Sequence, residues 1–233
     1  MAMEFNKPSF GVLDDVKVVY AAVELAVPKA CDLMADWGAD VTWLENTGAG
    51  DTLRDTAYVK QAERRNQRSV SMNYFSDEGK EILFKMLADA DIFIEASKGG
   101  TWARKGITDE VLWEINPKLV IVHLSGFGQT GDPKMVKRAA YDLTVMAYSG
   151  YMSQNGTQEQ PMNPGPYAGD YFNSLMIVSS TLAALHKANR TGKGESIDMA
   201  MYETLLAIGQ YYLVDFLNEG IKWPRAGARN VNL

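Results

Sequence analysis

The feature that most constrains this chain is an alternation of short apolar runs with helical stretches, repeated from residue 16 to beyond residue 200. Val16-Lys17-Val18-Val19-Tyr20 reads as a strand. Between Glu24 and Trp37 the apolar residues Leu25, Val27, Leu33, Met34 and Trp37 fall on one helical face, and Gly38 stops it. Val41-Thr42-Trp43-Leu44 is then a second strand, which closes one βαβ unit. The same pattern predicts strands at 69–72, 91–95, 119–124 and 196–199. Helices are predicted at 76–88, 109–113, 141–148 and 170–188, with another running through Phe216. Such an order means an α/β domain whose mainly parallel sheet is covered by flanking helices.

The 233 residues are 46% hydrophobic, enough to bury such a sheet without a covalent staple. The lone Cys31 has no partner for an internal bridge and reads as a small buried apolar residue, which points to the cytoplasm. Twenty-three Lys and Arg against 29 Asp and Glu leave a net charge of −6, which argues against a nucleic-acid partner. The first ten residues hold no apolar run of signal-peptide length, and no window reaches the roughly 18 apolar residues that span a bilayer. Neither export nor a membrane partner is expected.

In an open α/β sheet, ligands collect beyond the carboxyl ends of the strands, so the turn-rich loops at 46–51, 126–133 and 155–169 are where a site is expected. Gly126-Phe127-Gly128-Gln129-Thr130-Gly131 matches the dinucleotide fingerprint in spacing. No acidic residue closes a following strand about 20 positions on, and the first βα turn, Tyr20-Ala21-Ala22-Val23-Glu24, has no glycine. A tight glycine loop is the simpler reading, with a nicotinamide-dependent oxidoreductase as the alternative. Metal chemistry has no support, since His123 and His186 are the only histidines and neither has a ligand cluster beside it; His123 reads as a satisfied core histidine.

Two features carry chemistry. Asp170 follows a stiff Pro164-Gly165-Pro166-Tyr167-Ala168-Gly169 loop and stands at the mouth of a long helix. It can cap that helix, act as a nucleophilic carboxylate with Gly169 admitting a substrate, or do both. Lys98, Arg104 and Lys105 lie on a glycine-bearing loop directly after a strand, where they form either a solvated surface run or a cradle for a phosphorylated ligand.

The order of segments resembles the N-terminal part of a family III CoA-transferase, from Phe10 to about Gly220. The resembling stretches are Trp37-Gly38-Ala39-Asp40-Val41 with Glu45, Gly50-Asp51 with Arg54, Arg65-Asn66 with Arg68-Ser69, and Ile115-Asn116-Pro117-Lys118-Leu119 leading to Ser125-Gly126-Phe127-Gly128. Gly169-Asp170 and Thr191-Gly192-Lys193-Gly194 complete the set. Ile94-Glu95-Ala96-Ser97-Lys98-Gly99 and Gln154-Asn155-Gly156 with Gln160-Pro161-Met162 are similar to the branch of that family that acts on carnitine.

The resemblance implies a Rossmann-like large domain and an enzyme that moves CoA between an acyl-CoA and a small carboxylic acid, carnitine or a related betaine. Coenzyme A is then a substrate as its thioester, and no cofactor is bound permanently. Asp170 is implied as the catalytic residue, forming a covalent aspartyl-CoA thioester. Lys98 matches a CoA-contacting lysine of the carnitine branch; Lys105 stands where that branch has an arginine, with Arg104 beside it. Family members continue well beyond residue 233 into a smaller domain and then return to the first, and they form interlocked homodimers. Residues 1–220 are accordingly expected to be the large domain without the small domain and the return, with 221–233 opening a linker. The alternative is an inactive CoA-binding fragment or subunit that needs a partner.

Overall fold

The computed structural model describes residues 10–48, 50–56, 62–225 and 227. Among these, six strands form one sheet: β1 (Lys17–Ala21), β2 (Asp40–Glu45), β3 (Arg68–Ser71), β4 (Ile92–Ala96), β5 (Val120–Ser125) and β6 (Ser196–Ala200). They stand in the order β3-β2-β1-β4-β5-β6, and all five pairings are parallel. Among the described residues the sheet is flanked by the helices α1 (Ala26–Asp36), α2 (Asp77–Leu87), α3 (Asp109–Ile115), α4 (Pro133–Val136), α5 (Asp142–Tyr148), α6 (Ala168–Thr191), α7 (Met201–Ile208) and α8 (Gln210–Glu219).

The central strands are apolar on both sides because both faces are covered, as a parallel sheet requires. Val18, Tyr20, Ile92, Ile94, Val120 and Val122 point into one core, beneath α1 and α6. Val19, Phe93 and Ile121 point into the other, with Leu83 and Leu87 of α2 and Leu112 of α3. Cys31 is fully buried in the first core, and burial pushes its thiol pKa well up. Local signals place the helix starts. Ser76 accepts from the Gly79 N–H at 3.1 Å to open α2, and the left-handed Gly192, at φ 73°, ends α6.

Three details differ from the sequence pattern. The first helix starts at Ala26, not at Glu24, whose backbone is left-handed at φ 64°. The last helical stretch breaks at Gly209 into α7 and α8. Residues 221–225, expected to open a linker, have no helix or strand but fold back: Trp223 Nε1 donates to Asp215 Oδ2 at 2.8 Å, and Arg225 Nε to the Thr157 carbonyl at 2.7 Å. Residues 226 and 228–233 of that segment lie outside the described residues.

The strand order reverses between β1 and β4. The chain leaves β1 towards β3 and returns to β4, so the loops after these two neighbours diverge and leave a crevice at their carboxyl ends.

Candidate active site

A cleft of about 290 Å³ opens at that reversal. Residues 23–27 after β1 form one wall, and Ala96, Ser97 and Lys98 at the end of β4 form the opposite one. Leu124, Ser125 and Gly126 close β5 into it, and Arg138, Tyr141, Asp142, Tyr167 and Asp170 complete the lining. Asp170 and Lys98, 72 positions apart in the chain, thus face one space.

Asp170 is not the cap of its helix. Tyr167, at φ 58° and ψ 30°, is the N-cap residue, and Asp170 is the third residue of α6. Its own backbone N–H donates to Asp142 Oδ1 at 3.1 Å, so a carboxylate from α5 satisfies the free amide and the Asp170 side chain is left over. Gly169 permits this contact. A Cβ there would lie 2.9 Å from Asp142 Oδ1 and 3.2 Å from Met146 Sδ, so its smallness admits the protein's own carboxylate. Burial, then the charge of Asp142, then that of Glu24 push the Asp170 carboxyl pKa up to about 7.

Lys98 is exposed at the rim of the cleft. The loop that carries it is tied down from below. Ser97 Oγ donates to Glu95, Trp102 Nε1 donates to Ser97 Oγ at 2.9 Å, and a Cβ on Gly99 would meet Val136 Cγ1 at 2.3 Å. Arg104 and Lys105 do not line the cleft. Arg104 turns its guanidinium back on its own loop, to the Gly99 carbonyl at 3.1 Å and Thr101 Oγ1 at 3.2 Å. The Lys105 ammonium lies 5.6 Å from the centre of the Phe75 ring.

His123 is satisfied, as its strand position suggested. It bridges two carboxylates, Nδ1 to Glu95 Oε1 and Nε2 to Asp109 Oδ1, both at 2.8 Å. Burial opposes its charge, but the bonds to Asp109 and Glu95 outweigh burial and raise its pKa to about 9. The glycines of the 126–131 loop serve close packing: a Cβ on Gly126 would lie 2.3 Å from the Ala140 Cβ, and Gly128 and Gly131 have φ of 84° and 108°.

Family-pattern residues form a charged brace behind the wall after β1. Arg54 Nε donates to Glu45 Oε2 at 2.7 Å, and Ser69 Oγ also donates to Glu45. Arg64 pairs with Asp51, the two side chains retaining 6% and 2% of their surface, and its guanidinium lies 4.3 Å from the Trp43 ring centre.

The sequence profile of CoA-transferase family III matches residues 13–233. The chain belongs to CoA-transferase family III. It is 51% identical over 225 residues to the L-carnitine CoA-transferases of Proteus mirabilis (strain HI4320) and Proteus sp. (strain LE138), covering 97% of this chain and 55% of each relative. The solved CAIB/BAIF family protein from Brucella suis superposes with a TM-score of 0.85 at 32% identity, over 93% of this chain and 60% of that one. This family III chain therefore spans little more than half the length of the relatives it matches.

The cleft also holds residues that sequence reasoning passed over: Glu24, Ser125, Arg138, Tyr141 and Asp142. Asp142 gave no signal, because an acid at the start of a short helix is ordinary. Of Tyr148, Tyr151, Tyr167 and Tyr171, which stand near Asp170 in the sequence, only Tyr167 reaches the cleft. Tyr148 packs on Phe127 and Tyr202, Tyr151 packs on Phe172, and the Tyr171 hydroxyl donates to Glu63 Oε1 at 3.0 Å.

Proposed function

We propose that this chain carries the nucleophile and a CoA-facing wall of an enzyme that moves CoA between an acyl-CoA and carnitine or a related betaine. The observation that carries the reading is Asp170. A carboxylate left over at a helix start, burdened by burial and by two neighbouring acids, shares one cleft with a lysine at the rim that has no ion pair among the described residues.

Raising the pKa of a carboxyl raises the basicity of its carboxylate, and partial burial strips water from it; both make a weak nucleophile stronger. The Asp170 carboxylate attacks the thioester carbonyl of the donor, and the C–S bond breaks to give a mixed anhydride and CoA thiolate. The thiolate attacks the aspartyl carbonyl, which releases the donor acid and leaves an aspartyl-CoA thioester. The acceptor carboxylate then repeats the two steps in reverse and departs as its CoA thioester. No net proton or electron is required, and no permanently bound cofactor is needed. Lys98 is the cation placed to meet the CoA phosphates, with Arg104 and Lys105 further along the same loop as secondary contacts.

Residues 1–220 are then the large domain, and the remaining length of the relatives corresponds to a small domain and a return that complete the cleft in an interlocked homodimer. The cytoplasm is the compartment that suits a buried, unpaired Cys31. Among the described residues no helix is long and apolar enough to cross a membrane. A second reading, a CoA-binding portion that needs a partner for turnover, is favoured by Tyr211, Val214, Phe216 and Leu217 of α8, which all leave large apolar side chains exposed. Mass spectrometry of the chain after incubation with an acyl-CoA tests the nucleophile: a CoA adduct on Asp170 is expected.

A further inference from the structure

Resting on that reading, we propose that Glu24 reads the positive head group of a zwitterionic carboxylic acid in the Asp170 cleft. Glu24 follows β1 and is half-buried in the cleft wall. Its left-handed backbone, unusual for a residue other than glycine or asparagine, is clamped from behind. Arg64 Nη2 donates to the Glu24 carbonyl at 3.2 Å, and the Glu24 N–H donates to Asp51 Oδ1 at 3.4 Å. Arg64 and Asp51 form the dry ion pair stacked on Trp43, so the backbone of Glu24 is held by groups that cannot easily move. Its side chain accepts from Thr52 Oγ1 through Oε1, and among the described residues no cation pairs with it.

The cleft therefore holds three acids, Glu24, Asp142 and Asp170, against Lys98 and Arg138. Asp142 has a structural duty in holding the Asp170 amide. Glu24 has none of that kind, and its charge would repel an acceptor that brought only a carboxylate. A zwitterionic acceptor reverses the balance. Its carboxylate goes to the aspartyl carbon, and its fixed positive charge meets Glu24. A quaternary ammonium takes no hydrogen bond, so it is recognised by charge and by ring faces, and Tyr141 and Tyr167 line the same cleft with much of their surface open. Independently, Ser125 keeps only 6% of its surface, yet among the described residues its hydroxyl has no partner, which leaves an unmet donor on the cleft lining for a polar ligand.

The test is calorimetric titration of this chain, with CoA present, using 4-(trimethylammonio)butanoate and its carbon isostere 5,5-dimethylhexanoate, which keeps the carboxylate but has an uncharged head group. The parent is expected to prefer the betaine by about 10-fold or more, as a partly desolvated charge contact provides. Glu24→Gln should abolish the preference, and Glu24→Asp should restore part of it. A parent that binds the two acids equally, or neither, overturns the assignment, as does a Glu24→Gln variant that keeps the preference. Should that variant lose CoA binding with the cleft, Glu24→Asp decides, and an undiminished parental preference in it overturns the assignment. The CoA titration of the parent separates the two claims: absence of CoA binding contradicts the transferase reading, whereas intact CoA binding without betaine preference contradicts only the role of Glu24.

Discussion

The backbone N–H of Asp170 donates to the carboxylate of Asp142 at 3.1 Å, across 28 positions of sequence. One acid thus caps the helix so that another need not, and the second is set free beside the negative charge of the first. Burial first, and then the charge of Asp142, raise the basicity of Asp170, and Gly169 allows the close approach of the two groups.

The contact makes Asp142 a tuning residue. Asp142→Asn keeps an oxygen for the Asp170 N–H and removes a charge, so the Asp170 pKa should fall from about 7 towards the ordinary carboxylate range. The pH at which Asp170 becomes half-reactive towards acyl-CoA should move down with it. A pH profile of adduct formation in the two proteins measures this, and identical midpoints would remove Asp142 from the electrostatics.

The same strain has a sign in stability. An acid whose folded pKa lies above its unfolded value of 3.8 weakens the fold as pH rises from about 4 to about 7. Asp170→Asn should therefore unfold at higher denaturant than the parent at pH 8, by on the order of 1–3 kcal/mol, and lose that advantage at pH 4. CoA affinity should be nearly unchanged. Denaturant titrations at the two pH values check the claim, and a variant destabilised at pH 8 would refute it.

Much of this architecture was legible in the sequence, because burying a strand on both faces leaves an unbroken apolar run, as in residues 119–122, and because caps such as Ser76 act locally. Asp170 and Lys98 stood out in the sequence only as candidates, from their settings of Gly/Pro loop and strand end. Their sharing of one cleft was not legible, since it depends on the order of strands, which periodicity does not encode. Glu24 was hidden for a different reason. Left-handed backbone is ordinarily announced by glycine or asparagine, and here tertiary contacts from Arg64 and Asp51 impose it on a glutamate. Arg104 looked equivalent to Lys98 by charge, but its planar fork finds carbonyl and hydroxyl partners within its own loop.

That difference predicts unequal losses. Lys98→Ala should weaken CoA binding by about 1–3 kcal/mol, the usual loss for a charge-assisted phosphate contact, while Lys105→Ala and Arg104→Ala should each cost less. Calorimetric titration with CoA ranks them. Unchanged affinity in all three would make the loop at 97–106 a solvated surface run.

His123 gives a separate pH signature on the opposite face of the sheet. Its folded pKa of about 9 lies above the ordinary 6.5, so its two carboxylate bonds stabilise fully below about pH 6.5 and are lost as pH rises through about 9. Between pH 6 and pH 10 the parent should lose on the order of 1–3 kcal/mol more than His123→Asn does. Parallel loss in the two proteins would show that His123 is neutral throughout.

The open apolar side chains of α8 predict association. The purified chain should bind a hydrophobic dye and elute above its 25.8 kDa mass, with little acyl exchange alone. A version extended by the remaining length of its relatives should lose dye binding and gain turnover. A monodisperse monomer with full steady-state activity would refute both the second reading and the need for a completing segment.

The most direct test of the account is the covalent intermediate. The chain is incubated with an acyl-CoA, quenched in acid, digested and analysed by mass spectrometry, with Asp170→Asn in parallel. The predicted result is a peptide carrying CoA, less one water, on Asp170 of the parent, which hydroxylamine converts to the hydroxamate, and no such peptide from the variant. CoA attached to another residue, or a parent with no adduct at Asp170, would contradict it.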